Sequence, residues 1–444
     1  MNNPVTFSCG GIHPSESKFY TKDIPIKNAP VPSIAIIPMA QHMGRPAECL
    51  VNIGDELKEG MLIGKATGFF SANIHSPIPG KVVDIKELYL TNGIRSMAVI
   101  AELSGEFDRS GKNNTMLSWD HLSKKNLIDK IADMGIVGLG GATFPTHIKY
   151  TVKKGTRVKY FIVNGVECEP YLTADYRLML EKTEEILEGV KIIKKILSPE
   201  QIFFGIEDNK PDAIAKIERV ISRLKMGIEV VPLKTQYPQG DEKQLIKAIT
   251  GMEVPSLGLP IDVGTIVSNV GSVFAIYEAV VYDKPLIERI VTVTGSIIKR
   301  PANFKVRIGM RVSELLEECG GLTETPVKII AGGPLMGNSF YGIDTPITKG
   351  ISGIVALSKK EAKQAAVTTC IRCGKCIRSC PVSLNPTLLY RLIVYSKYEE
   401  AKHNGLLDCR ECGCCGYVCP AWIPLVQGMK LGKYMLKKKG LLQN

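Results

Sequence analysis

The middle of the chain alternates two hydrophobic periods. Four short apolar runs, "YFIV" from Tyr160, "IFFGI" from Ile202, "IEVV" from Ile228 and "TIVS" from Thr265, read as strands, and the stretches between them carry apolar residues at helical spacing. Strands alternating with amphipathic helices predict an α/β sheet. Polar residues crowd the carboxyl end of each strand: Asn164, Glu167, Glu169 and Asp175 after the first, Glu207 and Asp208 after the second, Tyr237, Gly240, Asp241 and Glu242 after the third, and Asn269 at the end of the fourth. Any one of these sets is an ordinary helix cap or solvated loop. Four on one edge point to a ligand crevice.

The flanks follow other patterns. From Leu50, "LVNIGDELKEGMLIGKATGFFSANIHSPIPGKVVDI" sets Gly54-Asp55, Gly60, Gly64, Pro77 and Gly80 as turns between short strands. After the sheet, "RIVTVTGSIIKRPANFKVRIGMRVSELLEECGGL" holds two strands, a Gly/Pro turn and a helix, followed by "VKIIAGGPLMGN". Further on, "NPTLLYRLIVYSKYEEAKHNG" predicts a helix with Asn385 as N-cap, Pro386 at the first helical position, and Leu389, Leu392 and Ile393 at helical spacing. Apolar stretches such as "IDVGTIVSNVGSVFAIYEAVVYD" are broken by polar residues, so none offers the roughly 20 clean positions of a membrane helix.

With 444 residues, 45% hydrophobic and 23% charged, the composition is globular and allows roughly three domains. The start, "MNNPVTFSCGGIHPSES", lacks the basic and apolar regions of a secretory signal, which predicts a cytoplasmic, reducing setting suited to thiolates. A formal charge of +12 suits nucleic acid, an anionic membrane face or acidic partners. The densest basic run, "MKLGKYMLKKKGLLQN", places Lys430, Lys433 and Lys437 to Lys439 on a helix with no aromatic platform beside it. That argues against nucleic acid and leaves a solvated face, or one resting on a membrane or partner.

The densest chemistry lies in cysteine. Cys370, Cys373, Cys376 and Cys380 precede Pro381, and Cys409, Cys412, Cys415 and Cys419 precede Pro420, the same spacing twice. In this bacterial ferredoxin pattern three cysteines of a run hold one [4Fe-4S] cluster and the fourth serves the other. Cluster A is therefore expected on Cys370, Cys373, Cys376 and Cys419, and cluster B on Cys409, Cys412, Cys415 and Cys380. Zinc knuckles or disulfides fit this doubled spacing less well. Cys414 and Cys168 are read as small buried side chains. Clusters move single electrons and cannot take a hydride, so a flavin is expected upstream. From Gly135, "GIVGLGGATFPTHIKY" offers a place: Gly138, Gly140 and Gly141 leave backbone bare for a phosphate. The ordinary Rossmann fingerprint is absent, because "NLIDKIADMG" before the loop is helical where that motif needs a strand.

The stretches "GLGGATFPTHIK", "NGVECEPYLTAD", "GIEDNKP" and "YPQGDEKQL", with the two cysteine runs, resemble RnfC, a component of the Rnf ion-translocating electron-transport complexes, over nearly the whole chain. More distantly, the centre resembles the flavoprotein subunit of respiratory complex I, which binds FMN and NADH in one cavity. The resemblance implies FMN held by Gly138, Gly140, Gly141, Asn164, Tyr237, Gly240, Asp241 and Glu242, with Asn269 as a further contact, and NAD(H) near Phe144, Lys149 and Glu169. Leu139 and Val166 depart from it, standing where the complex I flavoprotein has arginine and aspartate. Ser268 stands where relatives usually show asparagine, and Asp241 where other Rnf members often have a small residue. The N-terminal pattern resembles a biotinyl-lipoyl β-sandwich, but its hairpin "TGFFSA" has no carrier lysine, so Phe69 and Phe70 are expected to contact the flavin domain. The pattern after the sheet resembles an SLBB-type β-grasp domain.

A multi-domain α/β protein is thus expected: residues 1–115 a β-sandwich, 116–285 an FMN/NADH-binding α/β domain, 286–355 an SLBB-like β-grasp, and 356–444 a two-cluster ferredoxin-type domain with the basic tail. The implied function is hydride exchange between NAD(H) and FMN, then single-electron transfer through two [4Fe-4S] clusters, with no side chain needed as general acid or base. The resemblance further implies a peripheral subunit on the cytoplasmic side of the cell membrane, partnered by other subunits and, through them, by ferredoxin. Alternatives are a soluble flavin/iron-sulfur reductase, such as a cobalamin reductase, and a flavin-free iron-sulfur carrier.

Overall fold

The computed structural model describes residues 3–107, 116–153, 155–340, 342–362 and 365–442. Strands Tyr160–Asn164 (β1), Gln201–Glu207 (β2), Ile228–Leu233 (β3) and Thr265–Asn269 (β4) form an all-parallel sheet in the order β3-β2-β1-β4. Phe161 and Val163 of β1 enter one core, while Ile162 joins Leu245, Ile246 and Val267 in the other. Both faces are covered, which is why these strands read as continuous apolar runs. Strand order reverses between β1 and β4, so the crevice at the switch point opens beside Asn164 and Asn269, which are register partners.

The N-terminal module is a sandwich. One sheet joins Ile34–Pro38, Arg95–Leu103, Gly80–Tyr89 and Glu56–Leu57; the other joins Glu48–Cys49, Leu62–Lys65 and Ile74–His75. Ile37, Ile63, Ile78, Val82 and Val99 fill the space between. The boundary expected at residue 115 falls outside the described residues.

Residues 3–28 leave the sandwich and run as a strap across the rest of the molecule. Val5 bridges to Leu233, Ile12 bridges to Tyr237, and Ile26–Asn28 adds a parallel strand beside Ala302–Arg307. The strap is held by a buried amine: Lys18 Nζ donates to the carbonyls of Glu167 at 2.9 Å, Glu169 at 3.0 Å and Leu172 at 2.5 Å. The sheet it joins has six strands, and its strand Gly353–Leu357 crosses the boundary expected at 355.

Toward the C-terminus, Asn385 caps helix Pro386–Val394 by accepting from Leu388 N at 3.1 Å. This helix packs on Leu425–Lys438, where Gly428 meets Tyr390 and Gly432 meets Ile393. The basic helix is thus partly committed to its own module. Met429 and Leu436 are buried, and Lys433 Nζ donates to Cys409 O at 2.6 Å and pairs with Glu411 at 2.8 Å. Among the described residues no helix is long and apolar enough to cross a membrane.

Candidate flavin crevice and thiol cavities

The glycine loop joins helix Lys124–Asp133 to helix Thr146–Tyr150 and is pinned from behind. Leu139 N donates to Ser272 Oγ at 2.8 Å, and Gly138 N donates to Phe144 O at 2.9 Å. A Cβ at Gly140 would stand 3.3 Å from the Asn269 side chain; one at Gly141, where φ is +106°, would meet nothing within 4 Å. The loop therefore presents bare backbone to the crevice.

Two asparagines tie the surrounding loops together. Asn269 Oδ1 accepts from Gly271 N at 2.9 Å, capping the helix after β4, and its Nδ2 donates to Asp175 at 2.6 Å. Asn164 Nδ2 donates to Gly240 O at 3.0 Å, while its Oδ1 accepts from Val166 N at 3.2 Å. Asp241 caps helix Glu242–Thr250, accepting from the amides of Lys243 and Gln244 at 3.1 and 3.3 Å. Glu242 accepts from Lys149 Nζ at 2.9 Å, and the same amine donates to Val267 O at 2.9 Å. Lys149 thus belongs to the crevice wall.

Glu169 sits under a loop of the six-stranded sheet. It accepts from Leu335 N at 3.1 Å and Met336 N at 2.8 Å, and lies 3.3 Å from the Tyr237 hydroxyl oxygen. A Cβ on Gly333 would come within 2.2 Å of its carboxylate, so the close approach requires glycine. Burial pushes the Glu169 carboxyl up. Asp175 is pushed up to about 7, first by burial and then by the neighbouring Glu167. Phe144 meets the sandwich: its ring lies 5.7 Å from that of Phe70, edge to face.

The cysteines separate into two cavities. One is lined by Cys409, Cys412, Cys415 and Cys380, with Cys414; the other by Cys370, Cys373, Cys376 and Cys419. Each draws three cysteines from one run and the fourth from the other. Among the described residues no three His, Cys, Asp or Glu side chains are placed to hold a single metal ion. A cubane takes one thiolate per iron, so the four run cysteines expected as ligands at each cavity supply its donor count.

Comparison with known proteins agrees module by module. The Nuo51 FMN-binding domain model matches residues 131–278, the RnfC barrel sandwich hybrid domain 6–106, the SLBB domain 290–339 and the 4Fe-4S dicluster domain 363–420. The C subunit of the proton-translocating ferredoxin:NAD(+) oxidoreductase complex of Clostridium ljungdahlii is 48% identical over 88% of this chain and 85% of its own length. The chain belongs to the RnfC family. The Na(+)-translocating counterpart of Acetobacterium woodii is 42% identical over 85% of each chain, and the corresponding component of the ion-translocating oxidoreductase complex of Rhodobacter capsulatus is 41% identical over 97% of this chain and 83% of its own.

The donor sets of this RnfC chain fit both cofactor types of its modules: bare glycine backbone, asparagine amides and a helix N-terminus for FMN, and two sets of four thiols for [4Fe-4S] clusters. Sequence reasoning missed several residues that shape the sites. Arg410 Nε donates to Asp241 at 2.8 Å from inside the second cysteine run. The buried Arg289 guanidinium donates to the carbonyls of Lys349 and, at 3.4 Å, Leu139. It brings positive charge behind Leu139, where the side chain supplies none. The amides that receive Glu169 lie in "GGPLMG", whose paired glycines were the available signal for a close approach.

Proposed function

We propose that the chain exchanges hydride between NAD(H) and FMN in the crevice between β1 and β4, and passes electrons through cluster B and then cluster A. It would do so as the flavin-bearing subunit of an ion-translocating ferredoxin:NAD oxidoreductase, attached peripherally on the cytoplasmic side of the membrane beside other subunits. The observation that carries this order is the Tyr237 hydroxyl, which donates to Cys412 O at 2.7 Å and so joins the flavin loop to the loop of cluster B.

When bound, FMN accepts two electrons as hydride and releases them singly, and the clusters carry them singly. Gly138, Gly140, Gly141, Asn164, Tyr237, Gly240, Asp241, Glu242 and Asn269 would hold the flavin. Phe144, Lys149 and Glu169 would meet the dinucleotide. The two cavities supply the proposed ligand sets, with Cys380 serving cluster B and Cys419 serving cluster A. Hydride moves directly, so the acids orient loops and need not relay protons. The proposed units keep the expected order, with the strap of residues 3–28 assigned to the flavin and β-grasp units.

The full chain, purified without oxygen, should show flavin absorbance and about eight irons, both reduced by NADH. Iron without flavin, or flavin that NADH leaves oxidised, would overturn the reading.

A further inference from the structure

We propose that Arg289, contributed by the β-grasp unit, is the positioning residue that makes the glycine loop a site for the flavin's phosphate. This rests on the reading of the crevice as the FMN site and adds the group that sets its electrostatics. Arg289 lies in strand Glu288–Thr294 and is only 6% exposed. Its acceptors are all carbonyls: Ile290 at 3.2 Å, Leu139 at 3.4 Å and Lys349. The acids around it are engaged elsewhere. Glu278 and Glu288 pair with Lys284, Lys305 and Arg307, and Asp175 accepts from Asn269. Among the described residues no carboxylate pairs with the guanidinium, so a buried positive charge stands behind the loop and is felt strongly there. The Asp175 carboxylate, at the same loops, would repel a phosphate, and Arg289 opposes it.

The carbonyl contacts also decide where the loop's amides point. In a planar trans peptide the C=O and the following N–H face opposite ways. Leu139 O turned toward Arg289 therefore turns Gly140 N away from it. The other side of Leu139 is fixed as well, since its own amide donates to Ser272 Oγ at 2.8 Å. Among the described residues nothing accepts from the amides of Gly140, Gly141 or Ala142, which leaves adjacent donors for a ligand. A Cβ at Gly140 would stand 3.3 Å from Asn269, so these donors lie beside the N-terminus of helix Val270–Tyr282. Lys349 holds the brace: its amine donates to Asn73 O at 2.8 Å and Gly135 O at 2.7 Å, and a Cβ on the next residue, Gly350, would come within 2.9 Å of Thr143 in the loop. Oriented amides and a desolvated cation favour a dianion, and the phosphate is the dianionic part of FMN.

The test uses the full chain with its clusters in place, stripped of flavin by gel filtration at high bromide, and titrates two flavins by their fluorescence: FMN, and riboflavin, which lacks the phosphate. Wild type should bind FMN more tightly than riboflavin. Arg289→Met should weaken FMN at least about ten-fold, the scale of a lost hydrogen bond to a charged group, and leave riboflavin unmoved. Arg289→Lys keeps the charge but carries its donors on one nitrogen, so it should lose FMN affinity by only a few-fold, again with riboflavin unmoved. Equal losses for both flavins would show a brace with no role toward the phosphate, and unchanged FMN affinity would show no role at all; either overturns the proposal. If Arg289→Met does not retain its iron, Arg289→Lys decides by the same two criteria. A wild type that binds neither flavin overturns the crevice reading and the proposal together. A wild type that prefers FMN beside variants of undiminished preference overturns the proposal alone.

Discussion

The two cysteine runs share a backbone and differ in almost everything around it. Arg372 and Glu411, at equivalent positions, both adopt the left-handed conformation, with φ of 57° and 54°, as do Gly374 and Gly413 at 69° and 88°. Each run then enters a short helix, Lys375–Arg378 or Cys414–Tyr417. The cavity of Cys409, Cys412, Cys415 and Cys380 is walled by Leu384, Leu389, Val426 and Met429. It is tied to the flavin unit by Arg410 on Asp241, Tyr237 on Cys412 O and Gln244 Nε2 on Pro381 O at 3.1 Å, and to the strap by Gly11 N on Ser379 O at 3.0 Å. Around the other cavity Cys370 is exposed, as are Ile371, Ile377 and Trp422. Spacing decides which cofactor is held, and surroundings decide its task. The enclosed site suits an internal relay, and the open one suits exchange with a partner, since burial and hydrogen bonding tune cluster potentials.

The sharpest way to break this comparison is to remove one cluster at a time. Cys412→Ser and Cys373→Ser should each lower iron from about eight to about four per chain and leave flavin reduction by NADH intact. Only Cys412→Ser should also stop electrons from reaching the surviving cluster, as followed by stopped-flow absorbance. If both variants still reduce their remaining cluster, the relay order is wrong. Cys380→Ala should perturb the same paramagnetic signal that Cys412→Ser removes, and Cys419→Ala the other; a swapped result would undo the crosswise ligation.

A smaller effect compares equivalent positions. Arg410 follows Cys409 as Ile371 follows Cys370. Arg410→Ala breaks a pair whose Asp241 carboxylate is only 7% exposed and whose guanidinium is 33% exposed. The cost should fall between those of surface and buried pairs, about 1–2 kcal/mol, together with slower electron transfer from flavin to cluster B. Ile371→Ala should stay within about 0.5 kcal/mol. Thermal unfolding of both variants measures the contrast, and equal shifts would mean that the Asp241 contact does not brace the two loops.

Much of this arrangement was legible because its signals are local in sequence. Cysteine spacing predicted the two groupings that the cavities display, and the polar residues after each apolar run marked the edge of the sheet where Asn164 and Asn269 meet. Phe70 on Phe144 realises the contact expected from a hairpin without a carrier lysine. The strap was not legible, because scattered main-chain bonds, the buried amine of Lys18 and side-chain contacts such as Thr6 with Gln239 and Thr21 with Thr173 hold it, and none of these has a periodicity. Arg289 was hidden for a related reason: it lies on a strand of another sheet, and nothing near it in sequence points to Leu139. Lys433 looked like part of a solvated basic face, and only the packing of its helix shows it bonded to Cys409 O.

The smallest expected effect tests the open side of the comparison directly. Exposed Ile371 lies among the exposed basic side chains of Arg372, Lys375 and Arg378, a surface that favours an acidic partner. Ile371→Asp places a negative charge there without entering the thiol cavity's ligand set, so iron, flavin and the rate at which NADH reduces both clusters should stay at wild-type levels. Electron exchange with an acidic ferredoxin-like acceptor should slow by a few-fold at low salt, and the difference should shrink as salt screens the charges over about 10 Å. The same change at Leu257, exposed on the flavin unit, should leave that exchange rate alone. If Ile371→Asp is silent and Leu257→Asp is not, electrons leave by another face, and the exposure of the Cys370 run reflects only the edge of a small module.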